Sequence, residues 1–288
     1  MKRALPYLGY LAVIVAAYLL LATGKPVAVT GLFLVSGFAV GSLYALGGIG
    51  LVVLYRATGV LNLAAILTAT ILSLVYGRLI APGLAWRDPV VKAVATLGFA
   101  LIVLGITAFA WEDDVRKFSL PTDRIAIKVL GLRVTVTRLI VIGAAFAIVA
   151  GIWLYLSRTR TGLQMRALAN DRDLSAMIGV RILRVESIAW AMAGVIAGFT
   201  GLMFGDLVRL EPFVITFMVI PSVAAAICGR LENLGLVLVG GLTMGVVESM
   251  LTLSPMFKTI RPVAPYLIAA AVLIVMQRGT QLVFSRDE

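Results

Sequence analysis

Histidine is absent from this 288-residue chain, and Cys228 is its only cysteine. Those absences exclude histidine acid–base catalysis, disulfide staples and cysteine-rich metal sites. Charge is also scarce: Asp, Glu, Lys and Arg make up 14% of the residues, against about 25% in a soluble domain. The phosphate-cradling pattern G-x-x-x-x-G-K-[ST] does not occur, so the chain has no P-loop for ATP. Hydrocarbon is what it has in abundance. Apolar residues make up 61%, and the mean hydropathy is +1.05. In water such a chain would expose apolar patches far larger than soluble surfaces carry.

The formal net charge of +11 would suit nucleic acid, but its placement does not. Lys and Arg gather between apolar runs, where cytoplasmic loops of membrane proteins concentrate them, and no basic face interleaved with aromatics occurs. The apolar runs fall near residues 5–23, 27–55, 60–80, 93–111, 137–156, 187–205, 213–228, 235–253 and 263–277. Each reaches or approaches the length that spans about 30 Å of hydrocarbon. The alternation of a membrane strand is missing, so the runs are read as helices. The expected fold is all-α, a polytopic transmembrane helix bundle of about 8–10 spans forming one domain over residues 1–288. The first run follows Met1-Lys2-Arg3 and also resembles a signal peptide, with Ala22-Thr23-Gly24 passing as a cleavage site. Its length exceeds a usual signal core and favours a retained helix.

Two polar stretches interrupt the hydrocarbon. Residues 112–136 hold mixed charge, Pro121 and an alternating pattern either side of Gly131, which predicts a small external hairpin. Residues 157–185 carry Arg158, Arg160, Arg166, Arg172, Arg181 and Arg184, which places them in the cytoplasm. Within them the segment after Gly162 reads as one short amphipathic helix, with Leu163, Ala167, Leu174, Met177 and Ile178 on an apolar side. Gly179 suits its C-terminal cap. Such a helix either lies in the lipid interface or docks into a groove on a soluble partner. One count does not close. The basic N terminus and Arg78, Arg87 and Lys92 all belong inside, which needs an even number of crossings before Arg78, yet three runs precede it. Either one run is broken or re-entrant, or a crossing is absent near Ala64–Ala65. The run at 27–55 holds Gly31, Gly37, Gly41, Gly47, Gly48 and Gly50, as a broken or a closely packed helix would.

Single residues carry paired readings. Asn62 either lines a pathway or caps a helix. Ser42 and Tyr44 either line a pathway or pack helices together. Glu248 lies deep in a predicted helix and must face protein or water. It either contacts solute or fixes two helices through a buried hydrogen bond. Asp206, Arg209 and Glu211 cluster at an external helix end, as a mouth for solute or as a solvated rim. Arg230 and Glu232 flank a tight cytoplasmic turn. Trp86, Trp111 and Trp153 sit near predicted ends, as an aromatic belt would.

Several short segments resemble one family in its order, from about residue 31 to residue 279. Gly41-Ser42-Leu43-Tyr44-Ala45-Leu46 is similar to an early G-S-x-Y-A-L, and Leu61-Asn62-Leu63-Ala64 to an N-F-A segment. Thr161-Gly162-Leu163-Gln164-Met165-Arg166-Ala167 resembles a G-x-x-x-R-A loop, which Ile178-Gly179-Val180 closes. Ala193 through Gly201 resembles an A-x-x-A-G helix, and Gly240-Gly241-Leu242-Thr243-Met244-Gly245-Val246-Val247-Glu248 a G-G-x-x-x-G-x-x-E. The family is that of permease subunits of ATP-binding-cassette importers for branched-chain amino acids, the LivH type. The chain departs from it at Gly229–Gly235, where a glycine-rich turn is replaced. It departs also after Asn62-Leu63-Ala64, where about one crossing is absent, and in the extra run at 5–23.

The resemblance implies a role. The chain would form the translocation pathway for branched-chain amino acids or related small solutes, in the inner (cytoplasmic) membrane. It would hydrolyse nothing and hold no metal or cofactor, because ATP and Mg would be bound by partner ATPase subunits. Its partners would be a second permease subunit, identical or homologous, two ATP-binding-cassette ATPases and a periplasmic or extracytoplasmic solute-binding protein. The coupling helix would draw on Gly162, Arg166, Ala167, Leu168, Ala169, Asn170, Asp171, Asp173, Met177, Ile178 and Gly179. Ser42, Tyr44, Asn62 and Glu248 would line the pathway, with Asp206, Arg209 and Glu211 at its external mouth. The competing class is a stand-alone secondary transporter, which needs coupling-ion chemistry within the bilayer.

Overall fold

The computed structural model describes residues 5–22, 24–58, 70–85, 87–111, 121–129, 132–207, 219–257 and 263–277. The chain runs through α1 (Leu5–Ala22), α2 (Val27–Thr58), α3 (Thr70–Val75), a π-helical turn (Tyr76–Ile80), α4 (Ala81–Leu84) and α5 (Pro89–Trp111). After a 3₁₀ turn (Pro121–Arg124) come β1 (Ala126–Val129), β2 (Leu132–Thr135), α6 (Val136–Arg158), α7 (Arg160–Asn170) and α8 (Arg172–Met177). It ends with α9 (Ile182–Leu207), α10 (Val219–Cys228), α11 (Leu234–Leu251) and α12 (Ala264–Gln277). Among the described residues, four helices are long and apolar enough to cross a membrane: Val27–Ile49, Val136–Arg158, Ile182–Gly201 and Leu234–Leu251. Shorter apolar helices surround them, as in the expected polytopic bundle.

α2 is the axis of the bundle. Over 32 residues it meets α6, α7, α9, α10 and α11. It is one unbroken helix, so of the two readings of its glycines the broken helix is excluded and close packing stands. Gly37, Gly41 and Ala45 recur every fourth residue and so share one face of α2. Gly241 and Gly245 face them from the antiparallel α11. A methyl built on Gly41 would lie 2.6 Å from the Gly241 carbonyl oxygen and 2.7 Å from Leu242 Cα. One built on Gly241 would lie 2.6 Å from the Ala45 nitrogen. The two backbones therefore touch. Ser249 continues the seam by donating its hydroxyl to the Phe33 carbonyl at 2.7 Å. Around it lies the core, with Leu43, Leu46 and Ile49 of α2, Val141 of α6, Ala189 of α9, Ala225 of α10 and Met244 of α11 all buried.

The described part of the run expected at 60–80 is helical and continues to Leu84, with a π-helical turn inside it at Tyr76–Ile80. Helical structure from Thr70 to Leu84 amounts to roughly 22 Å at 1.5 Å per residue, short of a crossing by itself. The π-helical turn seats Gly77 against the Trp190 ring, and Tyr76 packs between Trp190 and Phe99 at 5.0 Å from each. Asn62 and the site of the suspected absent crossing lie outside the described residues. The hairpin forms where the alternation predicts it, with Ala126 opposite Thr135 and Val129 opposite Leu132. An isolated two-stranded ribbon is marginal in water. This one rests on α2 through β2 and is latched by a 2.8 Å hydrogen bond between the Thr122 and Thr137 hydroxyls.

The seam carries a prediction whose sign depends on position. Gly245→Ala presses a methyl onto the backbone of Gly41 and Gly37, an overpacking that typically costs about 1–3 kcal/mol. Gly143→Ala on α6 meets nothing within 4 Å and relieves a helix penalty of about 1 kcal/mol. Immunoblots of the membrane fraction should show severalfold loss for Gly245→Ala and none for Gly143→Ala.

Candidate functional site

Two regions hold the residues singled out from the sequence. The first is the middle of the α2–α11 seam. The Tyr44 side chain points back toward the N terminus of α2, as long helical side chains do. Its hydroxyl donates to Glu248 Oε2 at 2.7 Å in a buried setting. The bond joins the two helices that the glycines bring together. The Tyr44 ring also packs against Phe204 of α9, with centroids 6.0 Å apart. Ser42 is fully buried, and its hydroxyl donates to the Phe38 carbonyl one turn earlier at 2.7 Å. The structure thus brings Tyr44 and Glu248 together and buries Ser42 two residues from Tyr44 on α2. Asp206 lies in the last turn of α9, and Arg209 and Glu211 lie outside the described residues.

The second region is the reversal between α6 and α9. α6 ends at Arg158, and Thr159 adopts an extended conformation that starts α7. The Thr159 hydroxyl accepts from the Gly162 amide at 3.0 Å and donates to the Tyr155 carbonyl at 2.7 Å. Gly162 is required by proximity: a methyl there would lie 2.6 Å from the Tyr155 carbonyl oxygen. α7 therefore folds back directly onto the end of α6. It buries Met165 and Leu168 in the main core and leaves Leu163, Arg166, Ala169 and Asn170 exposed.

The single amphipathic helix expected here is two helices. Asp171 leaves the helical region, and its Oδ1 accepts from the Leu174 amide at 2.9 Å, capping α8. Short acidic side chains favour such caps over helix interiors because they can bond the free amides of a first turn. Gly179 closes α8 as expected, at φ +82°, with its amide on the Ala176 carbonyl and the Val180 amide on the Ser175 carbonyl. The expected apolar residues face outward: Leu174 is 56% exposed, Met177 84% and Ile178 69%. Asp173 is exposed beside them, while Ala167 is half-buried.

One contact escaped the sequence reading. Arg172 Nη1 donates to Glu186 Oε1, pairing the start of α8 with the foot of α9, and Glu186 is buried. The two residues are fourteen apart and share no helix, so no local spacing announces the pair. The turn at Gly229–Asn233 is a second surprise. Arg230 and Leu231 hold φ +53° and +56°, a region costing L-residues roughly 1–2 kcal/mol. Arg230 and Leu231 thus hold a backbone that suits glycine.

Comparisons with known proteins agree on one family. A family model described as branched-chain amino acid transport system / permease component matches residues 7–277. The chain is 28% identical over 102 residues to a probable branched-chain amino acid transport permease protein LivH of Methanocaldococcus jannaschii, covering 35% of this chain and 32% of that one. It is 22% identical over 263 residues to the high-affinity branched-chain amino acid transport system permease protein BraD of Pseudomonas aeruginosa, covering 75% of this chain and 84% of that protein. It is also 22% identical over 135 residues to LivH of Salmonella typhimurium, covering 46% and 44%. The matched stretches thus span from a third to under a half of the two LivH proteins, and most of BraD. No solved structure matches.

The Tyr44–Glu248 bond can be tested directly. Glu248→Gln keeps an acceptor for the tyrosine hydroxyl, so membrane abundance and solute uptake should stay near wild type. Glu248→Leu leaves Tyr44 with a lost partner, costing about 1–3 kcal/mol, and its abundance should fall. Equal abundance of both variants with uptake lost in Glu248→Gln would instead make the carboxylate a solute or gate contact.

Proposed function

We propose, for a chain that belongs to the family of permease components of branched-chain amino acid transport systems, that it forms part of a solute pathway driven by separate ATP-hydrolysing subunits. The match of the family model to residues 7–277 carries this reading. The chain sits as a multi-pass protein in the cytoplasmic membrane, with the α7–α8 end inside. A second permease, identical or homologous, completes the pathway. Two ATP-binding-cassette subunits hold ATP and Mg below it, and a solute-binding protein delivers cargo from outside. The cargo is a branched-chain amino acid or a related small solute, the class named for BraD and LivH. The chain itself catalyses no reaction.

Coupling runs through α7 and α8. Leu174, Met177 and Ile178 offer an exposed apolar end of the kind that docks in a groove. Docking alone would move nothing if α8 hung from a loose loop. It is instead braced at two points: Met165 and Leu168 of α7 are buried in the core about α2, and Arg172 is paired with Glu186 at the foot of α9. A displacement of α8 by a closing ATPase pair is therefore passed to α9 and α2 as a movement of packed elements. Ser42, Tyr44 and Glu248 lie within reach of that movement, on α2 and α11.

Purification of the tagged chain from its own membranes in mild detergent should recover two ATPase subunits and a second permease, identified by mass spectrometry. Recovery of the chain alone after gentler extraction would sink the importer and favour a stand-alone transporter. Within the importer, Asp171→Lys combined with Met177→Glu removes the α8 cap and charges its exposed end. Uptake should be lost while the protein remains in the membrane at normal abundance. Normal uptake at normal abundance would refute the role of α8.

A further inference from the structure

The reversal between α10 and α11 holds an arginine in a conformation that disfavours it. Arg230 and Leu231 are the two non-glycine residues with positive φ among the described residues, at +53° and +56°. In that region the Cβ crowds the following carbonyl oxygen, a strain that glycine escapes. Leu231 has a reason within the chain, because its side chain packs against the main core. Arg230 has none. It is exposed, and its guanidinium has no hydrogen bond or ion pair among the described residues. Nor does the turn need its side chain. The Arg230 amide donates to the Ile227 carbonyl at 2.8 Å, the Leu231 amide to Ala226 at 3.1 Å and the Asn233 amide to Gly229 at 2.9 Å. Glycine at 230 would keep all of these bonds and shed the strain. Backbone strain that the fold itself does not use gathers at functional sites.

The surroundings of Arg230 indicate what it meets. The turn stands at the end of the bundle where α6 finishes, since Asn233 and Leu234 line one crevice with Leu156 and Ser157. Arg158, Arg160, Arg181 and Arg184 are exposed at that same end. A partner that closes on it must bring carboxylates. An anionic bilayer attracts Lys and Arg additively wherever they stand near its surface, so it gives no reason for a cation on a strained residue. A rigid partner does, because it needs the cation at one fixed point. On the importer reading above, on which this contact rests, we propose that Arg230 is a docking point for an ATP-hydrolysing subunit, separate from α8, and pairs with a surface carboxylate of that subunit. Guanidinium fits a carboxylate through two parallel N–H donors. Asn233 caps α11 within the same turn, so the contact reaches the α2–α11 seam without passing through α7 or α8.

The test places the full chain in nanodiscs of phosphatidylcholine alone and titrates the ATPase subunits that co-purify with it. Arg230→Gly should bind them about tenfold more weakly, the equivalent of one charge-assisted hydrogen bond. The same variant should melt about 2–4 °C higher, because the strain is gone. A merely structural role would move binding and melting in the same direction. Arg230→Lys keeps the charge and the strain but not the planar fork. It should bind between the other two and melt with the wild type. Added salt should weaken the wild-type complex more than that of Arg230→Gly. Wild-type affinity in Arg230→Gly overturns the proposal and leaves the importer standing. So does a loss that appears only when anionic lipid is added to the discs, which would make lipid the partner of Arg230. Failure of any ATPase to co-purify with the wild-type chain refutes the importer and this contact with it.

Discussion

Backbone contact between α2 and α11 is the constraint on which the bundle depends. In lipid, apolar side chains gain little by leaving their surroundings, so helices associate through close packing and polar bonds. Gly37 and Gly41 on one helix and Gly241 and Gly245 on the other remove the side chains that would hold the axes apart. Each opposed peptide then gains contacts that a larger residue would deny it. The Tyr44–Glu248 bond and the Ser249–Phe33 bond close the same seam with polar pairs. With α11 held against it, α2 offers its remaining faces to α6, α7, α9 and α10, and the core forms about a single axis.

That arrangement explains how a small surface element can belong to the interior. α7 is short and polar on one side, yet Met165 and Leu168 are buried with the residues of α2. Gly162 allows it to lie directly on the end of α6. Asp171 then breaks the helix and restarts it as α8, which turns Leu174, Met177 and Ile178 outward. One continuous helix would leave inward and outward faces to a single periodicity. Two helices separate the jobs: α7 packs and α8 presents. The Arg172–Glu186 pair ties the presenting element to α9. A pair of this kind contributes through position more than net stability, because burying charges offsets much of their attraction.

The reversal after α10 shows a different compromise. A turn that suits glycine is built with Arg230 and Leu231 in left-handed conformations. Leu231 packs against the core, and Asn233 caps α11 by accepting the Leu236 amide at 3.1 Å. Asn233 also accepts the Tyr7 hydroxyl at 3.3 Å, which holds α1 to the start of α11. The strained backbone persists because packing and capping on either side outweigh its local cost.

Much of this was legible in the amino-acid order. Long apolar runs had to become helices, because backbone groups in hydrocarbon need internal partners, and the described helices other than α7 and α8 fall within or close to those runs. Alternation around Gly131 marked the hairpin, and Gly179 marked the end of α8, because strand period and left-handed caps are local properties. Other features were not local. Glycine content alone left α2 open between a break and a seam, and only the presence of α11 across from it decided for the seam. The apolar pattern after Gly162 did not distinguish one helix from two, although Asp171, a residue type that favours caps, was a local signal for the break. Arg172 met Glu186, and Tyr44 met Glu248, across separations that no periodicity encodes. Sequence by itself determined which segments are helical and membrane-compatible, because that depends on each segment and its solvent. Tertiary structure alone decided which polar groups pair and which apolar side chains stay exposed, because those outcomes depend on what the rest of the chain places opposite them.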